Sequence, residues 1–168
     1  MEKKLTFEEV KQLKIDKKLP YRQGVIAIVV NDKNQILLVQ ARSFKETEWK
    51  FPSGGLKEHE THKQALEREL KEELGTNLFK TEKKSNVVNV YDWTPEFIFT
   101  QYNKKNVLYR GQQQEQYLVR FIGQNHNIQL ENEELRTYKW VEKEDLETHL
   151  LFEGQYLHAL KTLKDLGI

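Results

Sequence analysis

Gly54-Gly55-Leu56-Lys57-Glu58-His59-Glu60-Thr61-His62-Lys63-Gln64-Ala65-Leu66-Glu67-Arg68-Glu69-Leu70-Lys71-Glu72-Glu73-Leu74-Gly75 is the stretch on which the reading of this chain turns. Thr61 to Leu74 has the pattern of a helix, and Gly75 stands where a C′ glycine ends one. Glu69, Glu72 and Glu73 fall at i, i+3 and i+4 and so share a face. Like charges at that spacing repel by roughly 0.2–0.5 kcal/mol per pair. At about 100° per residue, Leu66, Leu70 and Leu74 line up as an apolar seam. Glu73 lies beside that seam, and Ala65 falls between Glu69 and Glu72. A merely solvated acidic stripe would oppose the seam, whereas this one borders it. Carboxylates so placed need compensating charge. Arg68 can supply one unit and a divalent metal the rest. Oxygen-only ligands in a chain without cysteine favour Mg²⁺ or Mn²⁺ over zinc.

Outward from the helix, Trp49 to Gly55 reads as a loop punctuated by Pro52, Gly54 and Gly55, able to bring backbone groups close to a metal or phosphate. Val25 to Val30 reads as a buried strand. It is followed by the turn Asn31-Asp32-Lys33-Asn34 and a second strand at Ile36 to Gln40, which together suggest a hairpin. Further strands are expected at Asn86 to Tyr91, Glu96 to Gln101, Gln116 to Ile122 and Thr137 to Val141, with one or two closing helices over Asp145 to Leu166. Before Pro20 a short helix is expected. Thr6 and Glu9 have capping-box spacing, and Leu5 with Val10 fits a hydrophobic staple. Strands mixed with helices make the chain α/β, a sheet covered by helices on both faces.

The 168 residues suffice for one domain with a real core. A net charge of +1 argues against a general polyanion binder. No apolar run approaches the roughly 20 residues that span a bilayer, and Met1-Glu2-Lys3-Lys4 opens without an apolar signal core. A cytoplasmic protein with no membrane or DNA partner is the expectation; oligomeric state is left open.

Gly54, five residues, Glu60, seven residues, then Arg68-Glu69-Leu70-Lys71-Glu72-Glu73-Leu74-Gly75 resembles the Nudix box at every polar position. Thr76 departs from it, since the family prefers a large aliphatic residue there. His59 stands where many members carry glycine, so a positive φ is expected, which His tolerates better than most residues. Both His59 and His62 otherwise read as loop or helix-surface histidines. Tyr21-Arg22, Ala41-Arg42, Trp49 to Gly55, Gly111 to Gln114 and Tyr138 to Val141 resemble, in order, the branch that holds bacterial RNA pyrophosphohydrolases and dinucleoside tetraphosphate hydrolases. The resemblance implies a Nudix-type α/β/α sandwich with a mixed β-sheet over residues 20–168, and residues 1–19 form a helical extension before it.

It also implies roles. Glu69, Glu72, Glu73 and the Gly54 carbonyl would hold metal, with Arg68 orienting a carboxylate. Glu60 and Gly75 would be structural parts of the box. Glu134 would be a further ligand or general base, with Glu131 and Glu133 close enough to leave that choice open. Arg22 and Arg42 match arginines that meet phosphates, against the plainer reading of surface arginines. Phe152 matches an aromatic that stacks on a base, or else is a core residue. Glu115 departs from the branch, which usually carries lysine there. The implied activity is metal-dependent hydrolysis of a pyrophosphate linkage. The substrate is 5′-triphosphorylated RNA or, alternatively, a dinucleoside polyphosphate such as diadenosine tetraphosphate. A reading of another class, a non-catalytic nucleotide-sensing domain, sits poorly with a full set of box glutamates.

Overall fold

The Thr61–Gly75 segment folds around its own end signals in the computed structural model, which describes residues 2–168. The Thr61 hydroxyl accepts from the Gln64 amide at 3.1 Å, and the Gln64 side chain accepts from the Thr61 amide at 3.0 Å. This reciprocal cap starts the helix His62–Leu74. Gly75 ends it in the left-handed region at φ 69°, where a β-carbon would lie 2.2 Å from the Gln129 carbonyl oxygen. Glycine is therefore required there by conformation and by space.

In chain order the elements are α1 (Phe7–Ile15), β1 (Tyr21–Val30), β2 (Ile36–Ala41), β3 (Ser53–Gly55), α2 (His62–Leu74), β4 (Phe79–Lys84), β5 (Asn89–Asp92), α3 (Pro95–Lys105), β6 (Gly111–Phe121), β7 (Leu135–Val141) and α4 (Gln155–Leu166). The chain divides into two compact units, one of residues up to Gln23 with Asn89–Gln114, the other of Gly24–Val88 with Glu115–Ile168.

The larger unit contains the layered body. Its sheet is mixed, in the order β4-β6-β1-β2-β7, with β3 pairing β1. Strand alternation sends Val25, Ala27, Val29, Leu37, Val39, Val119 and Phe121 into one core with Leu66, Leu70 and Leu74 of α2. Ile26, Ile28, Val30, Ile36, Leu38 and Leu118 go into a second core with Ala159, Leu163 and Leu166 of α4. Helices thus cover both faces, as expected of the α/β/α sandwich. The β1–β2 hairpin closes at Val30 opposite Ile36. The Asn31 side chain caps the turn by accepting from the amides of Lys33 and Gln35.

In the smaller unit α1 packs against α3 around Val10, Leu19 and Ile98, with Leu5 in the same cluster as the staple pattern requires. The Thr6–Glu9 capping box forms. Strand β5 pairs with the start of β6, Asn89 opposite Gln114 and Asp92 opposite Gly111.

Three expectations are corrected. Glu96 to Gln101 lies within α3, not in a strand. The aromatic and β-branched run there suggested a strand, but Thr94-Pro95-Glu96 is a helix start, and the Thr94 hydroxyl accepts from the Phe97 amide at 3.2 Å. Phe79–Lys84 is a strand that its charged composition concealed, exposed along most of its length at the end of the strand order. The loop over Trp49 to Gly55 ends in β3, whose Gly54 pairs with Val25. Among the described residues no helix is long and apolar enough to cross a membrane.

Candidate active site

Arg68 is the organising side chain of α2. Its Nε and Nη2 grip both oxygens of Glu60, each at 2.7 Å, and Nη2 also donates to the Gly55 carbonyl at 2.8 Å. Nη1 donates to Glu69 Oε1 at 2.8 Å and to Glu72 Oε2 at 3.2 Å. Sequence reading assigned Arg68 one carboxylate; the structure gives it three. The Arg68 guanidinium, with the Lys57 amide, pulls the Glu60 carboxyl down to about 2. Glu60 therefore anchors the loop to the helix and keeps Arg68 facing Glu69 and Glu72.

Gly54 and Glu69 share one space. A β-carbon on residue 54 would fall 1.9 Å from Glu69 Cδ. His59 takes φ 65°, the strained conformation expected where relatives have glycine.

Glu73 is only 5% exposed, and its Oε2 is buried with no hydrogen-bond partner. Burial pushes its carboxyl up to about 8, against the pull of the Lys50 charge and the Ser53 amide; Glu69 and Glu134 push the same way as burial. A buried, unsatisfied carboxylate oxygen is costly unless a cation meets it. Hence the chemistry of the set fits a hard divalent ion: Glu73, the neighbouring glutamates and the main-chain carbonyls offer oxygen donors alone. Among the described residues no three acidic or histidine side chains close around one point, and Arg68 engages both Glu69 and Glu72.

The end of β2 and the start of β7 bring up the remaining candidates. Glu134 is exposed, and its charge reaches Glu73. Its amide donates to the Asn132 side chain at 2.8 Å, and its carbonyl accepts from the Arg42 amide at 2.9 Å. The Arg42 side chain is exposed. Phe152 is 40% exposed and meets Phe44 edge-on with ring centroids 5.1 Å apart, so it is a surface ring and not a core one. Arg22 belongs to the other unit, where its charge acts on the Tyr91 phenol.

Glu115, the charge reversal, is locally compensated. Lys84 Nζ lies 2.9 Å away, the Tyr117 hydroxyl donates at 2.5 Å, and His62 Nδ1 stands at 3.8 Å. Burial opposes ionisation of Glu115, but Tyr117 and Lys84 hold its carboxyl below the usual range. His62 is thus not a plain surface histidine: its Nε2 is buried and unpartnered.

Lys50 was not singled out by sequence. Trp49 and Phe51 pack into the α4-side core, and Lys50 bridges to Val39, which faces α2. Alternation alone would have directed Lys50 towards the glutamates.

The chain is similar to known proteins over most of its length. Residues 20–162 match the family model described as the NUDIX domain. An RNA pyrophosphohydrolase of Rickettsia prowazekii (strain Madrid E) is 35% identical over 130 residues, covering 76% of this chain and 79% of that one. One from Pelagibacter ubique (strain HTCC1062) is 28% identical over 149 residues, covering 88% and 91%. Among solved structures, an E. coli dihydroneopterin triphosphate pyrophosphohydrolase superposes with a TM-score of 0.62 at 15% identity, covering 86% and 99%. A C. elegans Ap4A hydrolase binary complex superposes with a TM-score of 0.60 at 19% identity, covering 86% and 98%. At those identities the two structures speak for the fold alone.

Proposed function

The chain belongs to the Nudix family and is a hydrolase of phosphoanhydride bonds, and from that footing we propose that it removes pyrophosphate from the 5′-triphosphate end of RNA. The observation that carries the hydrolytic reading is the buried, unpartnered Glu73 oxygen beside Glu69 and Glu72 on one face of α2. The RNA substrate is supported by relatives of that name at up to 35% identity over most of both chains. The Ap4A hydrolase likeness stands at 19% identity and supports the fold. In this reading residues 20–168 are the hydrolase domain, residues 1–19 precede it as an extension, and the protein works in the cytoplasm.

Glu69, Glu72, Glu73 and the Gly54 carbonyl would hold Mg²⁺, with Mn²⁺ an acceptable substitute and Glu134 an added ligand. The ion supplies Lewis acidity and a lowered pKa for water attacking phosphorus. The protein's own residues do the rest. Arg68 sets the angle of Glu69 and Glu72 and is itself fixed by Glu60. Glu134, exposed in the loop before β7, would serve either as that added ligand or as the base that takes a proton from the attacking water. Arg42 would neutralise phosphate oxygens, and Phe152 would stack on a base.

Specificity constants for triphosphorylated RNA, diadenosine tetraphosphate and free nucleoside triphosphates, measured side by side in Mg²⁺, test the proposal. RNA should lead. A tenfold lead for the dinucleotide would move the substrate to dinucleoside polyphosphates, and no turnover of any of them would point to a nucleotide-sensing domain.

A further inference from the structure

Two side chains hold most of the main chain of the loop that follows β2. Arg136 Nη2 donates to the carbonyls of Arg42 at 3.0 Å and Phe44 at 2.9 Å, while Nη1 reaches Gln40 Oε1 at 3.3 Å. Gln40, 2% exposed, shares its amide protons among the carbonyls of Lys45 at 3.3 Å, Glu46 at 2.9 Å and Glu48 at 3.1 Å. Residues 42–48 thus have five carbonyls bound by two side chains, where a surface loop ordinarily leaves such groups to water.

The device depends on a flaw in the β2–β7 ladder. Gln40 pairs with Thr137 and Ala41 with Leu135, so Arg136 is the extra residue of a bulge. A bulge re-aims the side chain it carries, and here it turns Arg136 across the end of β2. The guanidinium is spent on neutral carbonyls, so what it supplies is geometry. What the loop carries gives that geometry a use. The Arg42 amide is tied to the Glu134 carbonyl, and the Phe44 ring abuts Phe152 edge-on.

We propose that Arg136, working through Gln40, is a positioning residue for substrate: it locks residues 42–48 so that Arg42 and the Phe44-buttressed ring of Phe152 are set before substrate arrives. The inference rests on the proposed function, in which Arg42 and Phe152 meet the substrate. A loop ordered in advance removes an ordering cost from binding, so the effect belongs in substrate affinity and not in the chemical step.

The test pairs amide hydrogen exchange with steady-state kinetics on a triphosphorylated oligonucleotide in Mg²⁺. The variants are R136M, which keeps bulk and removes the donors, R136K, F44A and the double variant. Arg136 is exposed, so R136M should fold. Exchange at the Phe44, Lys45 and Glu48 amides, each hydrogen-bonded within the loop, should quicken at least tenfold in R136M. The KM should rise about tenfold with kcat within twofold, R136K should recover part of the loss, and R136M with F44A should be no worse than F44A alone. Unchanged exchange, faster exchange with an unaltered KM, or a fall confined to kcat would each overturn the inference. Failure of the proposed function is separately visible in the wild-type protein, which would then leave the triphosphorylated oligonucleotide uncleaved or favour diadenosine tetraphosphate tenfold or more before any variant is made.

Discussion

Glu69 lies so close against Gly54 that a single added carbon on residue 54 would overlap its carboxyl, 1.9 Å from Cδ and 2.2 Å from Oε1. The glycine of the loop is therefore a condition for where the glutamate of the helix can sit. Gly54→Ala should rotate Glu69 away and break its 2.8 Å contact with Arg68. A displaced rotamer costs about 1 kcal/mol, so melting should fall by only a few degrees. Turnover should drop at least tenfold, because in the proposed function the displaced group is a metal ligand. Calorimetry beside an initial-rate assay measures both. A variant with full activity would detach Gly54 from the site.

Glu73 should trade stability for function. Its folded pKa of about 8 stands above the ordinary value, so the native state favours the protonated form. The stability this gives is present below the unfolded pKa of about 4.3 and is lost as pH rises through about 8. Glu73→Gln removes that loss. In metal-free buffer the variant should match the parent near pH 4. By pH 8 it should exceed the parent by up to a few kcal/mol. In Mg²⁺ its turnover should fall at least about 10²-fold. Denaturant melts across that pH range are the measurement, and a variant less stable at pH 8 would mean that burial of this carboxylate is already compensated.

How much of this could be read beforehand depends on how local each signal is. The α2 helix was legible because its apolar seam, its glutamates and Gly75 lie within one local run, Leu66 to Gly75. Strands β1 and β2 declared themselves as continuous apolar runs, which the fold buries on both faces. The stretch 96–101 misled because Phe97, Ile98 and Phe99 favour strand by composition, while only Ile98 is fully buried, on a helix packed against α1. Strand β4 was missed because Lys80, Glu82, Lys83 and Lys84 are exposed, so no alternation marked it. Gln40 and Arg136 are 96 positions apart and meet only through a bulge, which no periodicity announces.

Glu134 and Glu131 can be separated by exchange to glutamine. Glu134 is pinned through its amide and carbonyl, so Glu134→Gln changes the head group without moving the chain. We expect kcat to fall with KM little altered, the signature of a group that acts in the transition state. Glu131→Gln should do much less. Equal losses at both positions, or none at either, would return the role of base or added ligand to another residue.

RNA and dinucleotide differ in what lies beyond the phosphates, and in the proposed function Phe152 would read that difference. Its ring is 40% exposed and leans on Phe44, so Phe152→Ala should leave folding nearly unchanged. Stacking is worth about 1–3 kcal/mol per base, so kcat/KM on a triphosphorylated oligonucleotide should fall roughly tenfold to a hundredfold. The parent enzyme should gain activity from mononucleotide to an oligonucleotide of a few residues, and the variant should lose that gain. Salt should weaken RNA binding only modestly. The net charge is +1, and Arg110 is already committed to Asp92 at 3.0 Å, which leaves Lys104 and Lys105 as the exposed cations of that segment. Specificity constants against chain length and salt decide the matter: a length-independent rate with Phe152→Ala silent would remove RNA as the substrate while leaving the family membership intact.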